Sequence, residues 1–255
     1  LDQRAEAEAV LGEYARPLTE KLCNDWADVF NRRDGEAAAR QQGEHYTSED
    51  RRRLGGGTTR GSQEAMELAE AIVSVSPDST WRFETLEAGD DVGIFRSIVE
   101  GHTDDGGELA VHNLQLVVAS PDRLVQRIIA WDEDQADEAW TAYRDWSAHV
   151  ANVRAVVAAV ADGAWDRYRD QLLTEDFEQA DFRQVAAGPT ADRDAFLETI
   201  RFTRDRGATM VTEVLAVDGN ARVGRIVWSG SGAEGSGDWE AEIFTVTVIR
   251  GARMC

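Results

Sequence analysis

An internal repeat constrains the fold of this chain more than any other feature of its sequence. Residues 86–101 read LEAGDDVGIFRSIVEG, and residues 215–230 read LAVDGNARVGRIVWSG. Both segments run from a leucine, through an acidic turn, into an apolar stretch that ends in glycine. They lie about 130 residues apart, which is the size of one small domain. The sequence therefore predicts two copies of one domain.

Shorter elements repeat in the same order around these segments. Asp34-Gly35 matches Asp162-Gly163, and Glu64-Ala65-Met66 matches Asp194-Ala195-Phe196. A further matched set is Tyr46, Asp50, Arg52 and Leu54 in the first copy, with Phe177, Asp181, Arg183 and Val185 in the second. The agreement extends over most of both copies, so we expect the two domains to share one topology.

The hydrophobic periodicity predicts helices first and long antiparallel strands afterwards in each copy. Helices are predicted at 18–33, 36–42, 63–73, 132–146, 148–161, 164–173 and 192–204, and strands at 45–54, 80–88, 92–101, 109–119, 125–131, 176–186, 208–217, 221–229 and 239–250. The glycine-rich segment 55–61 is predicted to be a loop. This order predicts an α+β fold of two tandem cone-shaped domains. In each, a curved, mostly antiparallel sheet wraps over N-terminal helices and leaves a pocket at the open end.

The predicted domains span residues 15–146 and 147–255. Residues 1–14 resemble the start of the helix that closes the first domain, so they are expected to be the tail helix of a preceding unit. The second copy stops where the first continues into the strand 125–131, which predicts a second domain truncated at its C-terminus. The alternative is that acidic helices simply look alike and that the second sheet is shorter.

Composition excludes several classes of function. The chain carries 48 acidic and 27 basic residues, a net charge of -21, which would repel nucleic acid and anionic membranes. No segment is apolar over the roughly 20 residues that a membrane span requires. Cys23 and Cys255 are too few for a disulfide scaffold or a cysteine-based zinc site, which favours a reducing cytoplasm. We predict no cofactor and no metal.

The order of elements resembles the SnoaL-like branch of the nuclear-transport-factor-two-like superfamily, and tandem modules of this type in large actinobacterial regulatory proteins. The resemblance rests on that order and on Asp50-Arg51-Arg52-Arg53-Leu54, with Asp181-Phe182-Arg183 as its counterpart. It implies the cone fold. The tryptophans on the predicted strands suit a cyclic hydrophobic ligand and equally suit a core or a dimer interface, which is their commoner use. The resemblance does not imply one activity, because the superfamily includes cyclases, epoxide hydrolases, dehydratases, isomerases and plain binding or dimerisation modules.

His112 and Asp50 are the candidate catalytic residues. His112 shares one strand face with Leu114 and Leu116, whereas Asn113 and Gln115 share the other, and the sequence leaves open which face is the inner one. The repeat places His112 opposite Glu242, so at most one copy is expected to be active. His112 is either a general base or a hydrogen-bonded structural histidine.

Charged and aromatic residues supply the predicted ligand-binding set. Asp50 and Arg52 are two apart on a strand and face the same way, as do Asp181 and Arg183. Each pair either binds a polar ligand group or forms a structural ion pair, and its presence in both copies favours structure. Arg96 and Arg225 either bind anions or pair with Asp50 and Asp181. The full set is Tyr46, Arg52, Trp81, Arg96, Gln115, Trp131, Asp181, Arg183, Arg225, Trp228 and Glu242.

The sequence therefore favours a small-molecule-binding or interaction module of a larger cytoplasmic regulatory protein. The alternative is a cyclase, hydrolase or isomerase that uses a pocket carboxylate or histidine as acid and base. The sheet faces are expected to pack, either between the two copies or in a homodimer. The sequence does not decide whether the chain is an enzyme.

Overall fold

The computed structural model describes residues 16–180, 191–232 and 237–255. The chain divides into two compact units between Tyr143 and Arg144, three residues before the domain boundary expected from the sequence. The predicted tail helix at 1–14 and the residues Asp181 and Arg183 lie outside the described residues. No helix in the described part of the chain is long and apolar enough to cross a membrane.

The first unit is a six-stranded sheet with a layer of helices on one face. Its elements are α1 (Leu18–Asn31), α2 (Gly35–Arg40), β1 (Gln42–Asp50), β2 (Gly57–Arg60), α3 (Gly61–Val75), β3 (Thr80–Ala88), β4 (Val92–His102), β5 (Glu108–Ala119) and β6 (Val125–Asp132). The strand order is β2-β1-β6-β5-β4-β3, and every pair is antiparallel except β1 with β6. The α+β prediction is confirmed.

The first unit differs from the sequence-based prediction at its edge. β1 ends at Asp50 rather than near residue 54, because the Asp50 carboxylate accepts hydrogen bonds from the backbone N–H groups of Arg52 and Gly56 and turns the chain. The segment predicted as a glycine-rich loop contains the short edge strand β2, which pairs with β1.

The core of the first unit lies between α1 and the inner face of the sheet. Leu18, Leu22 and Cys23 of α1 pack in one buried cluster with Phe95 and Val117. These α1 residues recur at helical spacing, so a single face of the helix is apolar and is buried against the sheet. Burial raises the pKa of the Cys23 thiol well above its ordinary value, so this thiol stays protonated near neutral pH.

The second unit repeats this sheet in part. After α4 (Ala136–Asp162), its elements are α5 (Trp165–Arg167) with a π-helical turn at Tyr168–Leu172, β7 (Glu178–Gln179), β8 (Ala191–Asp192), α6 (Arg193–Asp205), β9 (Thr209–Asp218), β10 (Ala221–Ser231), β11 (Asp238–Arg250) and β12 (Arg253–Met254). Its main sheet has the order β12-β11-β10-β9. This is the order of β6-β5-β4-β3 in the first unit.

Two details show how closely the units correspond. Thr19 at the start of α1 donates a 2.7 Å hydrogen bond from its hydroxyl to the Gly89 carbonyl, in the turn between β3 and β4. In the second unit the His149 Nε2 lies 3.0 Å from the carbonyl of Gly219, in the matching turn. The strand registers of the two sheets agree as well. His112 on β5 pairs with Ile98 on β4, and at the matching positions Glu242 on β11 pairs with Val227 on β10.

One prediction of secondary structure in this region is wrong. The helices predicted at 132–146 and 148–161 form the single helix α4. Trp146, His149, Val153, Val156 and Val160 are all buried at intervals of three or four residues, so the apolar face continues through the predicted break. The strand predicted at 176–186 lies within the described residues only as far as residue 180, and this part contains β7, which pairs with β8.

A hydrogen-bonded histidine–carboxylate pair connects the end of β4 with the turn before β3. Asp78 accepts hydrogen bonds from the backbone N–H of His102 at 2.7 Å and from its Nδ1 at 2.9 Å. These bonds lower the pKa of Asp78 to about 2, and the hydrogen bond and charge of Asp78 raise the pKa of His102 above 6.5. The two groups are largely exposed, so the effect on stability is modest.

We therefore expect His102 to titrate above the ordinary histidine value. Its stabilising contribution is complete below pH 6.5 and is lost as the pH rises through the raised folded pKa, since the folded state holds the proton more tightly than the unfolded chain. An NMR titration of the imidazole protons measures the midpoint. Asp78→Asn returns that midpoint to the ordinary value, and an unchanged midpoint in this variant would contradict the pairing.

Candidate functional site

A cavity of about 420 Å³ opens between the helices and the inner sheet face of the first unit. One wall is the apolar side of α3, with Ala65, Leu68, Ala69, Ile72 and Val75. These residues recur at intervals of three and four, so they share one helical stripe. The opposite wall is built by side chains of β1, β5 and β6 that point to the inner face of the sheet.

Alternate residues of β1 bring polar groups into this wall. Tyr46, Ser48 and Asp50 all line the cavity, as the two-residue period of a strand requires. Burial raises the pKa of Tyr46 to about 12, and the hydrogen bond with the Ser48 side chain opposes that rise only in part. The phenol is therefore neutral at physiological pH and is available as a hydrogen-bonding group.

Asp50 and Arg52 form a bidentate ion pair at the cavity. The Arg52 Nε donates to Asp50 Oδ1 at 2.8 Å, and Nη2 donates to Oδ2 at 2.6 Å. The backbone N–H groups of Arg52 and Gly56 donate to the same carboxylate at 3.2 and 3.0 Å. Burial would raise the pKa of Asp50, but these hydrogen bonds and the Arg52 charge hold it below its usual value. Asp50 is thus a weak base, and both of its carboxylate oxygens already accept hydrogen bonds.

The structure resolves which face of β5 is the inner one. Val111, Asn113 and Gln115 line the cavity, while Leu114 and Leu116 are 4% and 0% exposed on the opposite face of the strand. Asn113 and Gln115 are themselves only 4% and 6% exposed. Their amide oxygens are buried without a hydrogen-bond partner among the described residues. The wall therefore contains two amides with unused hydrogen-bonding capacity.

Aromatic side chains close the end of the cavity near α1. Trp81 packs edge-to-face against Trp26, with ring centroids 6.0 Å apart, and against Phe30 at 5.1 Å. The indole Nε1 of Trp81 donates a 2.8 Å hydrogen bond to the Ser97 hydroxyl. Trp81 and Trp26 both line the cavity, and their positions are fixed by these contacts.

Five of the predicted residues meet at this cavity. They are Asp50 from the catalytic pair, and Tyr46, Arg52, Trp81 and Gln115 from the ligand-binding set. The structure does not bring His112, Arg96 or Trp131 to it. His112 lies on the outer face, with its Nε2 3.4 Å from a Glu100 carboxylate oxygen, because neighbouring residues on a strand point to opposite faces.

Arg96 pairs with carboxylates other than Asp50, while Asp181, the suggested partner of Arg225, lies outside the described residues. Arg96 contacts Glu84 at 2.9 Å and Glu133 at 2.7 Å, so the expected pairing with Asp50 is wrong. Arg225 contacts Glu213 at 3.7 Å and also forms an ion pair with Glu242. Glu84 and Glu213 lie directly across from the two arginines in matching registers. These are cross-strand ion pairs outside the cavity.

The remaining predicted residues belong to the second unit. Trp228 is 5% exposed in the core of that unit, and Arg225 and Glu242 share a cross-strand pair there. Sequence reasoning missed Trp26 and the α3 stripe as cavity residues. The apolar period of α3 was the available signal, but periodicity predicts only that a stripe is buried and does not tell a filled core from an open one.

The described residues contain no group of three or more side chains suited to hold a metal ion. No protein-family model matches the sequence, and no curated protein matches it either. Solved structures that are similar to parts of the chain include proteins described as NTF2-like, ketosteroid isomerase-like and of cystatin fold.

One is RV0760c from Mycobacterium tuberculosis, solved in complex with estradiol-17beta-hemisuccinate. RV0760c is 12% identical to this chain, and the match has a TM-score of 0.42 and covers 47% of this chain and 97% of RV0760c. Another is SalBIII, described as an epoxide hydrolase/cyclase-like enzyme, at 14% identity and a TM-score of 0.38 over 44% and 87%. A third, of unknown function and from an Exiguobacterium species, is 15% identical with a TM-score of 0.36 over 43% and 95%.

Proposed function

We propose that this chain is a small-molecule-binding module and that its first unit holds an apolar ligand in the 420 Å³ cavity. The observation that carries the proposal is the cavity itself, which combines an apolar helix wall with a few inward polar groups. This composition is typical of ligand sites. Leu68 and Val75 at the cavity are 52% and 55% exposed, so a bound ligand would remove apolar surface from water.

The polar groups of the cavity favour binding over catalysis. Asp50 and Arg52 neutralise each other, and the lowered pKa of Asp50 makes it a poor proton acceptor. The enzyme hypothesis keeps one point of support, because Asp50 and Tyr46 lie on the same wall. Membership of a larger regulatory protein and a cytoplasmic location stay predictions of the sequence.

A larger side chain on the sheet wall of the cavity is expected to weaken ligand binding. Ala130 on β6 lies between Asp50 and Gln115 in register, and all three side chains line the cavity. We expect the neutral dye N-phenyl-1-naphthylamine to bind the natural chain, with increased fluorescence. Ala130→Leu places an isobutyl group in the dye's space and weakens binding at least about tenfold.

Ala130→Ser is the matched control, since it keeps the volume of the side chain and is expected to bind the dye within about twofold of the natural chain. Circular dichroism verifies that both variants are folded. Equal affinity in the leucine variant would place the dye elsewhere and would contradict the proposed site.

The outer face of the second sheet supports the predicted homodimer. Val223, Phe244, Val246 and Val248 are 37%, 63%, 77% and 40% exposed on neighbouring strands, and contiguous apolar patches of this kind mark interaction surfaces. We propose that a second copy of the chain covers this face. Light scattering at about 0.15 M salt should then show a dimer for the natural chain and a monomer for Val246→Glu, and a natural chain that is monomeric at this salt concentration would contradict the proposal.

A further inference from the structure

We propose that the cavity selects neutral ligands that carry a hydroxyl group, and that Asn113 and Gln115 are the residues that determine this specificity. The inference rests on the proposed binding function and adds the chemical class of the ligand. Its starting point is the pair of amides on β5 that have no partner for their oxygens in the described part of the chain.

A buried polar atom without a hydrogen bond is unfavourable, and native proteins keep few of them. Asn113 and Gln115 are two residues apart on one face, both are more than nine-tenths buried, and both line the cavity. Two such amides side by side lower the stability of the empty protein. A ligand that supplies the missing hydrogen bonds recovers this free energy on binding.

Neighbouring groups do not meet this need. The Ser97 hydroxyl, across from Asn113 on β4, accepts the hydrogen bond of the Trp81 indole, and Asn113 Oδ1 accepts no hydrogen bond from it. Ala130, across from Gln115 on β6, has no polar side-chain atom. Asp50 on the far side of Ala130 is occupied by Arg52. The hydrogen-bond partner of the amides must therefore come from within the cavity, where a polar group of the ligand can supply it.

The charge of the cavity wall argues for a neutral partner. Asp50 and Arg52 form a closed ion pair, so neither is free to act as counter-ion for a ligand charge. An ionised ligand would lose its hydration against apolar walls without recovering it in an ion pair. A hydroxyl group both donates to an amide oxygen and accepts from an amide N–H, so it suits either orientation of the two side chains.

The test uses four probes that share one apolar cage. Calorimetric titration compares 1-adamantanol with 1-methoxyadamantane, which lacks the donor, and with the ionised 1-adamantanecarboxylate and 1-adamantylammonium. We expect the alcohol to bind about tenfold more tightly than the ether and than either ion. An ether or an ion that binds as tightly as the alcohol would overturn the inference, while the proposed function would stand. If no probe binds, the proposed function itself fails.

Two variants separate recognition from a structural role. Gln115→Met and Asn113→Leu keep apolar bulk but remove the amides, and each is expected to reduce the alcohol-to-ether ratio to about twofold or less. The thermal midpoint of the free protein should stay the same or rise, because an unpaired buried polar group is removed. His112→Gln, the adjacent residue on the outer face, is the control and should keep the natural ratio. A natural ratio in both amide variants would overturn the assignment.

Discussion

Trp81→Ala is expected to lower the free energy of unfolding of the first unit by about 3 kcal/mol, as large-to-small changes of packed aromatic residues do. Trp81 contacts Trp26, Phe30 and Phe83, with ring centroids between 5.1 and 6.0 Å apart. Truncation opens a void beside the ligand cavity. It also leaves the fully buried Ser97 hydroxyl without its indole donor.

Trp81→Phe separates the two causes. It keeps an aromatic ring in the cluster and loses only the hydrogen bond and part of the volume, so we expect a loss of about 1 kcal/mol. Urea denaturation, followed by the far-ultraviolet circular dichroism of both variants, measures the difference. A change below about 1 kcal/mol in the alanine variant would show that Trp81 does not hold β3 against α1.

Arg222→Ala is expected to destabilise the second unit by about 3 kcal/mol. Arg222 is 6% exposed, and its Nη1 donates to the His149 carbonyl at 3.1 Å and to Asn152 Oδ1 at 2.9 Å. Burial lowers its pKa to about 10. Truncation removes the donor from two acceptors on α4 and leaves a void in the core, and both effects act in the same direction.

Arg222→Met is the informative companion to this variant. It refills most of the space and removes a charge that is costly to bury, so we expect less than half of the loss seen with alanine. Differential scanning calorimetry resolves the transition of the second unit if the two units unfold separately. An alanine variant as stable as the natural chain would show that the hydrogen bonds of Arg222 contribute nothing to this unit.

The long strands could be predicted from the sequence to within one or two residues. β3, β4 and β5 combine apolar patterns with sharp turn signals such as Gly89-Asp90-Asp91, and these local features are sufficient to set strand limits. β2 could not be predicted in this way, because its four residues form a strand only by pairing with β1. Its sequence reads as a loop until the neighbouring strand is known.

The candidate site was predictable only in part, because both faces of β5 carry apolar residues. Leu114 and Leu116 on one face and Val117 on the other are all nearly inaccessible, so alternation alone could not say where His112 and Gln115 point. Tyr46 and Asp50 alternate on β1, and Arg52 is predicted with Asp50 because the pair recurs in the sequence as Asp181 and Arg183. The identity of their partners depends on the register of distant strands, which the sequence does not encode locally.

In the dimer that we propose, attraction between the apolar faces of the second sheet is opposed by repulsion between the net charges of the two chains. Two copies that each carry a charge of -21 repel one another over the Debye length, which is about 30 Å at 0.01 M salt and about 8 Å at 0.15 M. The proposed apolar contacts of Phe244 and Val246 with a second copy would operate only over a few ångströms. If the proposed dimer forms, monomers are favoured in dilute buffer and dimers in salt, so the apparent mass measured for this protein depends on the ionic strength of the solution.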